Sequence, residues 1–178
     1  MSEKIIDFDC TVTRLTTETE LKCFDCGDDD LNDFLNKDAK NYLASLLAVT
    51  YLIKTETKII AYFSLSNDRI TRYDVDKTEW NKLSRSVANE KRKRSYPSVK
   101  VGRLAVDKTL AGFGFGKHIL YYIKKTYANN LQQAGCRFIT VDAYANVTNF
   151  YERNGFKFLT AEDKGNPTRA MYFDLKLF

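Results

Sequence analysis

Apolar and polar positions alternate along the chain in two periods, and the places where the period changes mark out strands and helices. A first strand is predicted over Asp9–Leu15. Leu31, Phe34, Leu35, Ala39, Tyr42 and Leu43 then recur at helical spacing and make one apolar stripe. Asp28, Asp29 and Asp30 stand in front of it, with side chains suited to capping the first amides and negative charge suited to the helix start. Leu47–Lys54 and Lys58–Ser66 read as strands joined by the polar turn Thr55–Thr57, a hairpin. Asp76–Arg94 predicts a polar helix.

Val99–Val106 is an apolar strand, followed beyond a glycine-rich stretch by Ile119, Ile123, Tyr127 and Leu131 at every fourth position, a helix that docks on the sheet. Gly135 marks its stop. Phe138–Tyr144 is almost continuously apolar, as a strand covered on both faces would be. A short helix over Val147–Asn154 closes at Gly155, Phe156–Leu159 opens another strand, and Met171, Phe173, Leu175 and Leu177 alternate along the last one. Strands interleaved with helices specify an α/β (α+β) fold. No repeat, low-complexity segment or linker interrupts the pattern, so residues 1–178 are expected to form a single domain, long enough to bury a core without disulfides or metals.

Composition narrows the class. Hydrophobic residues make up 44% and aromatic residues 13%, with two prolines, which excludes a disordered chain. No apolar run approaches the roughly 20 residues that span a bilayer, and MSEKIIDFDC lacks a basic-then-apolar leader, so the expected location is cytoplasmic, away from the membrane. The net charge of +5 is uneven: residues 1–38 hold eleven acidic and four basic side chains, leaving +12 on the remainder. The basic excess peaks over Lys82–Arg94, a patch that would steer an anionic partner, a tRNA included, or lie solvated on a helix end. Cys23 and Cys26 are spaced as a zinc or redox pair, yet Cys10 and Cys136 are isolated and the chain has one histidine. No metal is therefore expected.

The most informative stretch is Val101–Leu120, VGRLAVDKTLAGFGFGKHIL, a strand, a polar turn, glycines at Gly112, Gly114 and Gly116, then a helix. Residues without a Cβ let successive backbone amides converge on one ligand, and the helix start adds its own amides and the positive end of its dipole. The pattern suits a phosphate or pyrophosphate. A P-loop would need glycine at Ala111 and Ser or Thr at His118; a dinucleotide loop would need its third glycine at Lys117.

The loop resembles instead the acyl-CoA loop of the GNAT acetyltransferase superfamily, Gln/Arg-x-x-Gly-x-Gly/Ala after a strand reading like Leu104-Ala105-Val106. Gly114 and Gly116 match; Ala111 occupies the Gln/Arg position and leaves the backbone amides to hold the pyrophosphate. Downstream, Asn149–Phe156 (NFYERNGF) resembles the superfamily's F-Y-E-x-x-G-F motif. Upstream, Cys23–Leu35 (CFDCGDDDLNDFL) and Gly102–Asp107 (GRLAVD) are similar to the GNAT branch that includes toxins of toxin–antitoxin pairs.

The resemblance implies a central mixed β-sheet with flanking helices and a splayed parallel strand pair, ending near Val106 and Tyr144. It implies acetyl-CoA as the acetyl donor. Leu104, Ala105 and Val106 would supply the strand edge for the pantetheine arm, and Ala111, Gly112, Phe113, Gly114, Phe115, Gly116 and Lys117 the pyrophosphate loop. Asn146 or Asn149 would bond the cofactor, and Tyr151 would be the general acid for the leaving thiolate. A general base is not evident: Asp68 and Asp107 are conceivable, each equally readable as a turn or cap residue, and an amine near pKa ~8 needs none. The implied activity is N-acetylation of a primary amine by an acyltransferase, the acceptor being a small amine, a protein amine or an aminoacyl-tRNA. The toxin branch implies an antitoxin partner. The alternative is a non-catalytic GNAT-fold domain that binds an acyl-CoA or a partner; oligomeric state stays open, a homodimer included.

Overall fold

The computed structural model describes residues 10–85, 94–129 and 134–178. Its strands are β1 (Thr11–Arg14), β2 (Val49–Lys54), β3 (Ile59–Thr71), β4 (Ser95–Val106), β5 (Phe138–Tyr144), β6 (Lys157–Phe158) and β7 (Thr168–Asp174), in the sheet order β1-β2-β3-β4-β5-β7-β6. The helices are α1 (Asp29–Asp33), α2 (Ala39–Ala44), α3 (Lys77–Arg85), α4 (Phe115–Ala128) and α5 (Thr148–Arg153). Two compact units divide the chain, Met1–Ser66 with Val101–Ile123 and Asn67–Lys100 with Lys124–Phe178, so that β3 and β4 each lend a segment to both.

In the first unit β1 and β2 pair antiparallel, as do β2 and β3, with Thr11 opposite Lys54 and Val49 opposite Leu65. The Asp28 carboxylate caps α1 by accepting from the Leu31 amide, as the aspartate run predicts. Between α1 and α2 the helix widens into a π segment over Phe34–Asp38, and the Tyr62 hydroxyl donates to the Leu31 carbonyl at 2.6 Å where it does so. Phe34, Leu35 and Ala39 pack on Leu52, Ile59, Tyr62 and Ala105. The next residue along β3, Phe63, points to the opposite face and meets Tyr122 of α4 at 6.2 Å. Helices therefore cover both faces of these strands.

In the second unit β5 and β7 run antiparallel from Phe138 opposite Asp174 to Tyr144 opposite Thr168, and the two residues of β6 pair with β7. β5 runs parallel to the start of β4: the Arg137 amide donates to the Pro97 carbonyl at 2.9 Å, and further along Lys100 pairs with Asp142. One face carries Ile70, Leu83, Tyr96, Phe138 and Tyr172, with Trp80 of α3 against Tyr96. On the other face Phe173 meets Phe156 at 5.6 Å.

Four expectations are corrected. β4 begins at Ser95, four residues before the predicted strand, while the described part of the helix expected over Asp76–Arg94 is α3, Lys77–Arg85. Pro97 biases Tyr96 to extended backbone, and Tyr96 is buried against Trp80, which draws that segment into the sheet. Residues 86–93 of the basic patch, and Leu131 of the predicted α4 stripe, lie outside the described residues. Gly135 caps nothing, because α4 closes seven residues earlier, at Ala128. The last strand does not alternate: Met171, Tyr172 and Phe173 are all buried because both faces of β7 are covered, and Leu175 and Leu177 leave it for a 3-10 turn. Finally, β3 runs five residues beyond Ser66, to Thr71.

Candidate active site

In the first unit, Leu104, Ala105 and Val106 form the end of β4. Ala105 faces the core, whereas Leu104 and Val106 on the opposite face are half-buried. The Asp107 amide donates to the Ile60 carbonyl at 2.9 Å and carries the strand pairing to its last residue. The Asp107 side chain then turns inward and accepts from the amide and hydroxyl of Thr109, with Lys58 at 3.7 Å. Burial works against its charge, but these donors and the Lys58 ammonium outweigh it and hold the carboxyl below its usual range. Asp107 is thus a capping residue of the turn Lys108–Leu110, already committed to its own loop.

Beyond that turn the loop reaches α4 through Gly112 and Gly114, both at φ +84. Only glycine takes this backbone without strain, and a Cβ at either would meet open space. Phe113 between them is 75% exposed, while Phe115 is buried and anchors the first turn of α4. The Gly114 carbonyl accepts from the His118 amide, so the amides of Gly116 and Lys117, ahead of it in that turn, lack a carbonyl four residues back. Ala111, Lys117 and His118 are exposed on the same loop and turn. Leu104 through Lys117 are therefore held together as one strand, loop and helix start.

A brace supports this loop from the segment Cys23–Leu35. Lys108 donates its amide to the Asp25 carbonyl at 2.8 Å and its ammonium to the Asp25 carboxylate at 2.7 Å. Asp25 also accepts from the Gly27 amide and the Asn32 side chain. The Lys108 ammonium, then these two donors, bring its carboxyl down to about 2. Sequence reasoning singled out this segment as a family likeness and missed its mechanical part, whose signal is an aspartate two residues ahead of a glycine, the Asx-turn spacing.

In the second unit, Asn146 and Asn149 are exposed on the 3-10 turn and α5 that follow β5, and Tyr151 is buried at 7% exposure. Burial raises the Tyr151 phenol to about 12. The N-F-Y-E-R-N-G-F motif has a plain physical form here. The Phe156 amide donates to the Tyr151 carbonyl at 3.0 Å and the Gly155 amide to the Glu152 carbonyl at 2.8 Å, with Gly155 at φ +81. This is a Schellman cap, and its usual apolar contact is the Tyr151 ring edge-on to Phe156 at 5.4 Å. The motif's glycine and second phenylalanine set the position of its tyrosine. The other conceivable base, Asp68, accepts from the buried Thr140 hydroxyl.

Sequence reasoning also missed Lys124, which lies on the buried side of α4 beside Leu120 and Ile123 and is itself buried. The signal was a lysine four residues after Leu120 on an apolar helix face.

The mixed sheet with its parallel β4–β5 pair, and the glycine loop leading into α4, define the class of protein: an α/β acyltransferase. Residues 78–177 match the family described as acetyltransferase (GNAT) domain, and the chain belongs to that GNAT family. Its donor is acetyl-CoA and its reaction N-acetylation. Solved structures share the fold over nearly their full lengths. AtaT complexed with acetyl-methionyl-tRNAfMet is 24% identical, with a TM-score of 0.77 over 95% of this chain and 96% of that one. AtaTR bound with acetyl-CoA is 25% identical, at 0.75 over 95% of both chains. A tyrosine-to-phenylalanine mutant of KacT is 23% identical, at 0.73 over 93% and 96%.

Proposed function

We propose that residues 1–178 act as one catalytic domain that moves the acetyl group of acetyl-CoA to the α-amino group of an aminoacyl-tRNA. The observation that carries the donor side is the strand, glycine loop and helix start running from Leu104 to Lys117. Leu104–Val106 bond the pantetheine arm as an added strand edge, and the amides of Ala111–Lys117 hold the pyrophosphate, with Lys117 as its cation. Asn146 or Asn149 bonds the cofactor. The acceptor assignment draws support from the neighbour complexed with acetyl-methionyl-tRNAfMet and from exposed Lys77, Lys82 and Arg85 on or beside α3. A neighbour bound to the C-terminus of the antitoxin AtaR supports a neutralising protein as partner. No helix among the described residues is long and apolar enough to cross a membrane; together with a cysteine usage that suits a reducing compartment this supports a cytoplasmic location.

In the proposed reaction the neutral amine attacks the thioester carbonyl, an amide near Val106 receives the oxyanion, and the C–S bond breaks as the amide forms. Tyr151 serves the departing sulfur. With its phenol at about 12 against roughly 8.5 for a thiol, it stays protonated and acts as a hydrogen-bond donor to the developing thiolate. The proton lost by the amine as the amide forms ends on the departing sulfur, so coenzyme A leaves as its thiol and Tyr151 is unchanged. An α-amino group, with pKa about 8, is substantially neutral at physiological pH, so no carboxylate base is required.

The test is incubation with labelled acetyl-CoA and tRNA that is either aminoacylated or stripped. Label should enter acid-precipitable material only with the charged tRNA. Label on free amines or peptides alone would overturn the acceptor and keep the donor.

A further inference from the structure

Lys124 is a buried cation that has no anion beside it among the described residues. It is 7% exposed, and among the described residues no carboxylate lies within ion-pair reach of its ammonium. The ammonium instead sits 3.9 Å from the centre of the Phe173 ring and 5.3 Å from that of Phe156. Its hydrogen bond goes to the main-chain carbonyl of Asn154. Burial alone brings this group down to about 8. An unpaired lysine is seldom kept in such a place for stability, since an apolar side chain of the same length would fill it without the desolvation cost.

What the ammonium touches gives it a task. In the Schellman cap of α5 the carbonyls of Tyr151 and Glu152 are taken by Phe156 and Gly155, and the Asn154 side chain takes that of Phe150. The Asn154 carbonyl, at the capping position itself, is bonded by Lys124. The same ammonium lies over the ring of Phe156, the residue on which Tyr151 rests edge-on. At its other end α5 has no side-chain cap, and it is only six residues long. We propose that Lys124 is a positioning residue for Tyr151: it pins the capping carbonyl and the Phe156 ring, and so fixes where the phenol points. The proposal rests on Tyr151 serving the leaving thiolate, as proposed above.

Two measurements separate this role from plain packing. With ζ-carbon-labelled tyrosine, the NMR signal that disappears in Tyr151→Phe reports the phenol without any acceptor. It should be displaced and broadened in Lys124→Met and restored in Lys124→Arg; an unchanged signal in Lys124→Met overturns the proposal. Should Lys124→Met fail to fold, Phe173→Leu, which removes the ring beneath the ammonium, must displace the same signal. In acetyl transfer, Lys124→Met should lower kcat about tenfold with little change in the KM for acetyl-CoA, and cost nothing further when added to Tyr151→Phe. An equal loss in both backgrounds overturns the proposal. Full turnover by Tyr151→Phe would instead overturn the assignment of Tyr151 and leave the NMR result standing.

Discussion

Tyr151 shows how one side chain is prepared for the part proposed for it. Its ring is fixed by the contact that ends its own helix, and its burial makes it a weak acid, about 12 where a free phenol is near 10. A donor of that strength bonds a thiolate without giving up its proton outright. Tyr151→Phe should therefore leave the fold and the acetyl-CoA affinity unchanged and lower kcat about a hundredfold, the low end for removing one donor to a developing charge. Rapid-quench turnover together with calorimetric affinity checks this; equal turnover would remove Tyr151 from the mechanism. The glycines divide into two kinds. Gly112 and Gly114 are required by the backbone, at φ +84, whereas Gly116 lies within α4 and is not among the glycines at positive φ. The helical backbone at position 116 accepts a side chain without the strain it would cause at 112 or 114, so a substitution there is the cleaner test of the ligand space. Gly116→Val should keep the melting temperature and weaken acetyl-CoA at least tenfold, while Gly116→Ala, which the family pattern admits, should bind nearly as the wild type. Parallel affinity and melting measurements decide it.

At the scale of elements, the proposed site depends on how its helices begin and end. Gly155 closes α5 at φ +81, and a Cβ there would come within 3.1 Å of the Phe173 ring. Gly155→Ala should cost about 2 kcal/mol in denaturant unfolding from the left-handed backbone alone, and should reduce kcat because the cap that seats Tyr151 is disturbed; an undiminished stability would contradict the cap assignment. These elements differ in how openly the sequence displayed them. β5 was legible to the residue because its near-continuous apolar run has one reading, and α1 because Asp28 stands at the capping position. β7 was misread because burial on both faces abolishes alternation: Tyr172 packs on Phe138 while its neighbour Phe173 packs on Phe156. β4 was started too late because Ser95, Tyr96 and Pro97 have no strand pattern of their own; Tyr96 joins the sheet through its contact with Trp80, distant in sequence. The glycine loop and the N-F-Y-E-R-N-G-F motif were found as motifs. The Asp25–Lys108 brace and Lys124 were not, since each depends on a partner that only tertiary packing brings near.

Across the whole molecule, the buried cation leaves a signature in the pH dependence of stability. Lys124 titrates near 8 when folded, by desolvation, and at the ordinary 10.5 when unfolded. Between these values the unfolded chain binds the additional proton, so the group's contribution grows as pH rises from 8 to 10.5 and is lost again as pH falls through 8. Comparing wild type with Lys124→Met cancels the other titrating groups. The wild type should gain on the variant over that interval in urea unfolding, and a flat difference would mean that the ammonium is not desolvated. The architecture that surrounds this group, a mixed sheet clad by helices in a GNAT chain, makes acetyl-CoA the ligand on which every functional statement depends. The most direct measurement is therefore calorimetric titration of the wild type and Gly116→Val with acetyl-CoA. Saturable one-site binding by the wild type, weakened at least tenfold by the valine, is the predicted result. No binding by the wild type, or the same affinity in both, would contradict the glycine loop as the seat of the donor.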